Sequence, residues 1–374
     1  FKTPRKIARL RSEDFLNPIW RDLYNADNMP IDLIISPELE VAKSIERQLK
    51  TPGVYDIYPF FNEEVQLMSI AIHEDCPLID TDLKSIHDLF QGDEDSRKNL
   101  RASIIGIMRD KKLIVPKKNQ TLNHKDIIFL VTDNKHVHRA MSAFGLNEDP
   151  VKKIIIIGGG NIGFNLAKDL EMVDSDISVT IIENNDDRAS FIADSLQETL
   201  VLKGDGLDQS ILDEANVSSA NMILALTNDD ETNIIVAAVA KKNDCESLIL
   251  VNNSEYNNLK DVLGISRVID PRMITVSKIL KHIHRGKIDS VYSIGNNQAE
   301  IIQAQALKTS KLINKSITDA DLPNGIRIGL IKRDDKILVP DKETIIKEND
   351  EIVIMCLSES IHDAEELFQV RGAF

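Results

Sequence analysis

The stretch IIIIGGGNIG, residues 154–163, decides the fold of one half of this chain. Four consecutive isoleucines make a strand apolar on both faces, the pattern of a buried parallel strand. It runs directly into Gly158, Gly160 and Gly163, a spacing in which each glycine has a separate duty. The first permits the tight turn, the second lets backbone approach a pyrophosphate, and the third lets the following helix pack closely on the strand. Gly159 lies inside this loop, and Asn161 and Ile162 offer backbone N–H groups where the helix dipole favours phosphate. A second strand, VTIIE, ends at Glu183, placed to accept both hydroxyls of an adenosine ribose and to repel a 2′-phosphate. Arg188, nearby, pulls the other way. The plainer reading is a βαβ unit whose glycines serve packing alone.

Working outward, LVLKGDG puts Gly204, Asp205 and Gly206 after a third strand, and MILALTNDDETN puts Thr227, Asn228, Asp229, Glu231 and Asn233 after a fourth. Both fall at carboxyl ends of strands, the edge where open α/β sheets bind ligands. Asp205 either faces an adenine or closes a turn. Thr227 and Asn228 are placed to reach ribose or pyrophosphate, whereas Asp229 and Glu231 read as helix caps or solvated charge.

The chain is also duplicated. Arg109, Asp110, Lys112, Val115, Pro116 and Asp126 recur as Arg333, Asp334, Lys336, Val339, Pro340 and Asp350, always 224 residues later, and the match continues through His138, Ala140 and Phe144. Identities at one fixed offset mark a repeated structural unit. Upstream, IDLIIS followed by Pro37 matches RVID followed by Pro271 at an offset of 234. Each proline is suited to the first turn of a helix, predicted here to run to Leu49 and to His284. Ala42, Ile45 and Leu49 give the first helix an apolar face, and Val276, Ile279 and Ile283 the second. Spacing does not decide between core packing and an exposed dimer contact. The ten-residue change of offset locates an insertion in the charged stretch FQGDEDSRKN, residues 90–99. Each repeated module is predicted to hold strands at about 103–109, 112–115 and 126–132, or 326–332, 336–339 and 350–356, then a helix. No glycine loop precedes the first copy, so the first lobe reads as having lost its front half. KIARLRS, residues 6–12, is its first visible strand.

Bulk properties exclude several functions. A formal charge of −15 argues against a nucleic-acid partner, since phosphate surfaces depend on Lys and Arg. No stretch approaches the roughly 18 apolar residues of a membrane span. Cys76, Cys245 and Cys356 form no CxxC pair, and the spaced histidines 136 with 138 and 282 with 284 find no completing ligand, so no metal site is predicted. A dehydrogenase would need a catalytic His, Lys or Tyr beside the nicotinamide in a substrate domain. His282 and His284 are the nearest candidates, two small repeated modules leave little room for a substrate pocket, and no catalytic residue is assigned.

Together, GGGNIG, Glu183, GDG and LTNDDETN, followed by RVIDP and a small β-rich module, resemble the tandem RCK domains of the Trk potassium-uptake regulatory subunits, the TrkA family. The resemblance covers essentially the whole chain, and its most specific part is the order of these motifs with the doubled carboxy-terminal module. It implies an α/β fold of Rossmann-like parallel-sheet lobes, each followed by a small α+β module. Residues 1–62 would be the remnant of the first lobe, 63–148 its module, 151–286 the second, nucleotide-binding lobe and 287–374 the second module. It further implies binding of NAD(H), and in some members ATP or ADP, at Gly158 to Ile162, Glu183, Thr227 and Asn228. A potassium-translocating membrane subunit would be the partner, contacted by a homo-oligomer on the cytosolic face of the cell membrane. KIARLR resembles the segment in which an arginine touches the cofactor, making Arg9 the candidate in the first lobe, with Arg11 its neighbour. Val251 and Asn253 stand at the matching positions of the second lobe, which therefore lacks that charge. Two other readings remain open from the residues alone, an NAD-dependent dehydrogenase and an oligomerisation scaffold with a vestigial nucleotide fold.

Overall fold

The computed structural model describes residues 6–10, 31–91, 100–147, 151–173, 176–253, 255–256, 263, 265–283 and 288–368. Arg11, the side chain of His282, His284 and residues 92–99 of the charged stretch lie outside the described residues. The chain divides into two compact units, Phe1–Pro52 with Asp149–Thr275, and Gly53–Glu148 with Val276–Phe374.

The first unit opens with a parallel pair, β1 (Ile7–Arg9) and β2 (Leu33–Ile35), followed by helix α1 (Pro37–Lys50). Pro37 begins α1, Glu38 and Glu40 lie in its first turn and Arg47 and Lys50 in its last, an arrangement matched to the helix dipole. Val41, Ala42, Ile45 and Leu49 are fully buried, so the apolar face of α1 is core. Burial of each larger side chain contributes about 1.5–3 kcal/mol.

In the second unit, β3 (Asp56–Phe60), β4 (Val65–Ala71), helix α2 (Leu83–Gln91), β5 (Ala102–Arg109), β6 (Lys112–Ile114), β7 (Ile127–Asp133) and helix α3 (Val137–Ala143) form the first module. Its antiparallel sheet has the order β3-β4-β7-β5-β6. The three strands expected from sequence are present, and β3 and β4 are additions. β4 escapes an alternation test because six of its seven residues are buried, packed on both faces.

Back in the first unit, six parallel strands form the nucleotide-type lobe: β8 (Lys153–Ile157), β9 (Ser178–Glu183), β10 (Leu200–Lys203), β11 (Met222–Ala225), β12 (Glu246–Leu250) and β13 (Arg267–Ile269). Helices α4 (Asn161–Val173), α5 (Asp186–Ser195), α6 (Gln209–Glu214) and α7 (Asp230–Lys242) connect them. The sheet order is β10-β9-β8-β11-β12-β13, which is the Rossmann order with its reversal between β8 and β11. One face of the sheet packs with α4, α5 and, from the opposite end of the sequence, α1. The other face packs with α6 and α7.

Helix α8 (Pro271–Ile283) leads to the second module. Unlike its counterpart Ala42, which is fully buried, Val276 on this helix is 38% exposed. Strands β14 (Ile288–Ile294), β15 (Ala299–Gln305), β16 (Ile326–Arg333), β17 (Lys336–Leu338) and β18 (Glu351–Leu357), closed by α9 (Ile361–Phe368), repeat the order of the first module as β14-β15-β18-β16-β17. The repeated residues make the same contacts twice. Arg109 Nε and Nη2 donate to the two carboxylate oxygens of Asp126 at 2.8 and 2.6 Å, and Arg333 does so to Asp350 at 2.8 and 2.8 Å.

The two modules share an apolar seam of Phe60, Leu67, Ile105 and Val131 with Ile301, Leu330, Val353 and Met355. Polar groups register it. Gln298 donates to Lys111 O at 2.9 Å and accepts from Leu113 N at 2.9 Å, while Phe61 N donates to Gln303 Oε1 at 3.0 Å. The bond to Phe61 N satisfies a buried backbone group that would otherwise lack a partner.

Candidate functional site

The glycine loop sits at the carboxyl end of β8, where the strand order reverses. Gly158 has φ +102°, and a Cβ there would lie 3.0 Å from Thr227 N and 3.1 Å from Leu226 O. Only glycine allows the ends of β8 and β11 to come this close. A Cβ on Gly163 would fall 2.2 Å from Gly158 O, whereas one on Gly160 would meet nothing within 4 Å. The loop is therefore packed tight beneath and open above Gly160, the residue that immediately precedes the first turn of α4. Phe164 N donates to Gly160 O at 2.9 Å, fixing where the helix starts.

Glu183, at the end of β9, is 9% exposed. Its Oε2 accepts from Gly159 N and its Oε1 from Asn185 N, both at 2.8 Å. Each oxygen keeps acceptor capacity after one such bond. The carboxylate is thus bound to the loop itself.

Across the reversal, Thr227 is held by Asn233, whose side chain is completely buried. Asn233 Oδ1 accepts from Thr227 N at 3.1 Å and Thr227 Oγ1 at 2.7 Å, and its Nδ2 donates to Thr227 O and Leu250 O at 3.0 Å each. One amide therefore ties the ends of β11 and β12 together. Asp229 caps α7 through Thr232 N at 3.1 Å, and hydrogen bonds from Thr232 hold its carboxyl below the usual range. Asp230 accepts from Asn252 N and Asn253 N, fixing the loop after β12. Asn228 is exposed at the same edge.

The structure brings Gly158, Gly159, Gly160, Asn161, Ile162, Gly163, Glu183, Thr227 and Asn228 to one sheet edge. Asp205 stands after β10, exposed, with its Oδ1 accepting from Leu207 N at 2.9 Å in a turn. Arg9 belongs to the separate β1–β2 pair and lies 3.9 Å from Glu38. Among the described residues it shares no hydrogen bond or ion pair with the glycine loop. Two residues named in the sequence turn out to have roles that spacing did not assign: Asn233 stood among the polar residues after the fourth strand, and Arg188 as a cation favouring a 2′-phosphate. Asn233 is recognisable only once its depth is known. Arg188 bonds to the loop backbone, with Nε donating to Gly159 O at 2.7 Å. A cavity of about 440 Å³ in the second unit, lined by Phe61, Asp289, Tyr292, Lys332 and Glu351 among others, contains no such strand-end loop. No set of three His, Cys, Asp or Glu among the described residues is arranged to hold a metal ion, and no described helix is long and apolar enough to cross a membrane.

Comparison with known proteins fits both halves of this description. The TrkA-N domain matches residues 154–271, and the TrkA-C domain matches residues 67–145 and again 301–369. The Trk system potassium uptake protein TrkA of Azorhizobium caulinodans is 38% identical over 375 residues, a match covering 100% of this chain and 80% of that protein. The chain belongs to the TrkA family. The Vibrio alginolyticus TrkA is 32% identical, with 99% of this chain and 79% of that protein covered. Among solved structures, the RCK domain of GsuK has the same fold, with TM-score 0.52 and 17% identity across 97% of this chain and 75% of that one. A GsuK channel bound to NAD gives TM-score 0.51 and 17% identity across 97% and 62%. The two TrkA-C matches fall on the two modules that repeat the Arg–Asp pair, and the single TrkA-N match covers the six-stranded lobe.

Proposed function

We propose that this chain is the nucleotide-responsive regulatory subunit of a Trk-type potassium uptake system. It binds NAD(H), with ATP or ADP as competing adenine nucleotides, at the edge formed by Gly158 to Gly163, Glu183, Thr227 and Asn228, with Asp205 flanking the adenine. Arg9 would serve the first lobe in the same way. The observation that carries this reading is the anchoring of Glu183 on Gly159 at the strand-order reversal, beside an open glycine turn and a helix start. Relatives named for potassium uptake and a similarly folded channel described with NAD support it.

In this reading the pyrophosphate lies over Gly160 against the N–H groups of Asn161 and Ile162, and the ribose diol donates to Glu183. Tandem lobes and paired modules assemble as a homo-oligomer on the cytosolic face of the cell membrane. Ligands that favour one arrangement shift the state of a potassium-translocating membrane partner, which requires unequal affinity for the two states. No residue is assigned a catalytic role.

Calorimetric titration of the parent and of Glu183→Ala with NAD, NADH, ATP and ADP tests the site. Binding by the parent that weakens at least tenfold in the variant is expected. Flux measurements on vesicles holding the membrane subunit test the coupling. Absence of binding by the parent, or identical flux with and without each nucleotide, overturns the proposal.

A further inference from the structure

Arg188 occupies an unusual setting for a surface-helix arginine. Its guanidinium carbon stands 5.3 Å from the ring centre of Phe164 on α4 and 5.0 Å from that of Phe191 on α5. The two rings are themselves 5.5 Å apart. Its Nε donates to Gly159 O at 2.7 Å, and its Nη2 is buried without a hydrogen-bond partner. At the start of the same helix Asn185 Oδ1 accepts from Arg188 N at 2.9 Å, so the backbone beneath the side chain is capped.

Gly159 is consequently held at both polar groups of its backbone. Its N–H is taken by Glu183 Oε2 and its C=O by Arg188 Nε. A larger residue would have to displace buried Ile192, because a Cβ there would lie 2.3 Å from Ile192 Cδ1. Glu183, Gly159 and Arg188 form a chain in which the arginine fixes the glycine and the glycine fixes the carboxylate. An exposed arginine at this edge would be read as a partner for a ribose 2′-phosphate. Here the Nε is committed to Gly159 O, aromatic rings pack against the guanidinium and Nη2 is buried, so the side chain is held against the loop. Stacking on aromatic rings and a directional Nε–H are properties that lysine does not reproduce.

We propose that Arg188 is a positioning residue which, through Gly159, sets the Glu183 carboxylate and makes the site selective for adenosine nucleotides with a free ribose 2′-hydroxyl. This inference rests on the nucleotide reading given above.

The test compares the full chain with its Arg188→Met and Arg188→Lys variants by two readouts. Hydrogen exchange of residues 154–163 without nucleotide reports the loop directly. Calorimetric titration with NAD and with NADP reports selectivity. Both variants are expected to exchange about tenfold faster in the loop and to bind NAD about tenfold more weakly, with NADP binding unchanged, so that discrimination narrows. Unchanged exchange overturns the proposal, as does a parent that binds NADP tightly and loses NADP selectively in Arg188→Met. If loop exchange rises in the variants but the parent binds neither nucleotide, the nucleotide reading and the selectivity claim both fail while the Arg188–Gly159 coupling stands.

Discussion

Ile105 and Gly329 occupy the same place in the two copies of the module, and they face one another across the seam. A Cβ on Gly329 would lie 2.8 Å from Ile105 Cγ2 and 3.0 Å from Val131 Cγ2. Both residues sit where β5 and β16 shift register against their central strands. A duplicated surface paired with itself would place like against like at its axis. Here one copy supplies bulk and the other the room for it.

Gly329→Val should therefore destabilise the second unit by about 1–3 kcal/mol, the usual cost of overpacking. Adding Ile105→Ala to Gly329→Val should recover part of that loss, with a coupling of about 0.5–3 kcal/mol for residues in contact. Denaturant unfolding of the two single variants and the double variant checks this. Strict additivity would show that the two side chains do not share the space.

Asp126 and Asp350 are each 1% exposed and each accept two bonds from one arginine. Replacing either by alanine strands a guanidinium, and Asn123 N or Lys347 N also loses its acceptor. A loss of about 3 kcal/mol is expected in each case, since breaking one side of a largely buried pair leaves a charge uncompensated. Equal shifts in unfolding midpoint would show that the pair does the same work in both modules, whereas a negligible shift in either would refute that.

Asn233→Ala should cost about 1–3 kcal/mol for each buried group it leaves unpaired, chiefly Thr227 N and Leu250 O. The same variant should weaken nucleotide binding, because Thr227 loses the amide that places it. Calorimetry and thermal unfolding on one preparation separate these effects. Retained affinity together with reduced stability would remove Thr227 from the site.

Burial lowers the His87 pKa below the usual imidazole value, with Lys118 and Arg327 acting in the same direction and Asp88 and Asp341 opposing it. A depressed folded value means that the unfolded chain binds the proton more readily. The associated stability is complete above about pH 6.5 and is lost as pH falls through the folded pKa. Thermal midpoints should therefore decline from pH 7 toward pH 5, less steeply in His87→Gln. His136, lowered mainly by burial, leaves a residual slope. Parallel pH profiles for parent and variant would exclude His87.

Burial pushes the Cys245 and Cys356 thiols up to about 12, Glu246 and Glu300 adding to the effect. Both should resist an aromatic disulfide reagent at pH 8 in the folded protein and react promptly in denaturant. Stoichiometric reaction of the native chain would contradict their placement.

Much of the nucleotide lobe was legible because its signals are local. Ile154–Ile157, the glycine spacing and Glu183 each follow from the geometry of a single strand, turn or helix start. Pro37 and Pro271 marked the starts of their helices for the same reason. β3, β4, β14 and β15 were not legible. β4 and β15 are sandwiched between a module's own core and the seam, so the polar–apolar alternation that reveals a one-sided strand is absent, and β3 and β14 are mostly half-buried edge strands beside them. Arg188 and Asn233 were underrated because charge and polarity in a sequence do not report depth.

The sequence by itself determined the duplication, the parallel strand entering a glycine turn and the acid that follows it, since each is a matter of spacing along one chain. Tertiary structure alone decided that α1 seals a sheet built more than a hundred residues later, that Ile105 fills the room left by Gly329, and that Arg188 and Glu183 grip one glycine from opposite sides. Those contacts join residues far apart in sequence or on different elements. Their chemistry is fixed by distance, burial and direction, which residue order does not encode locally.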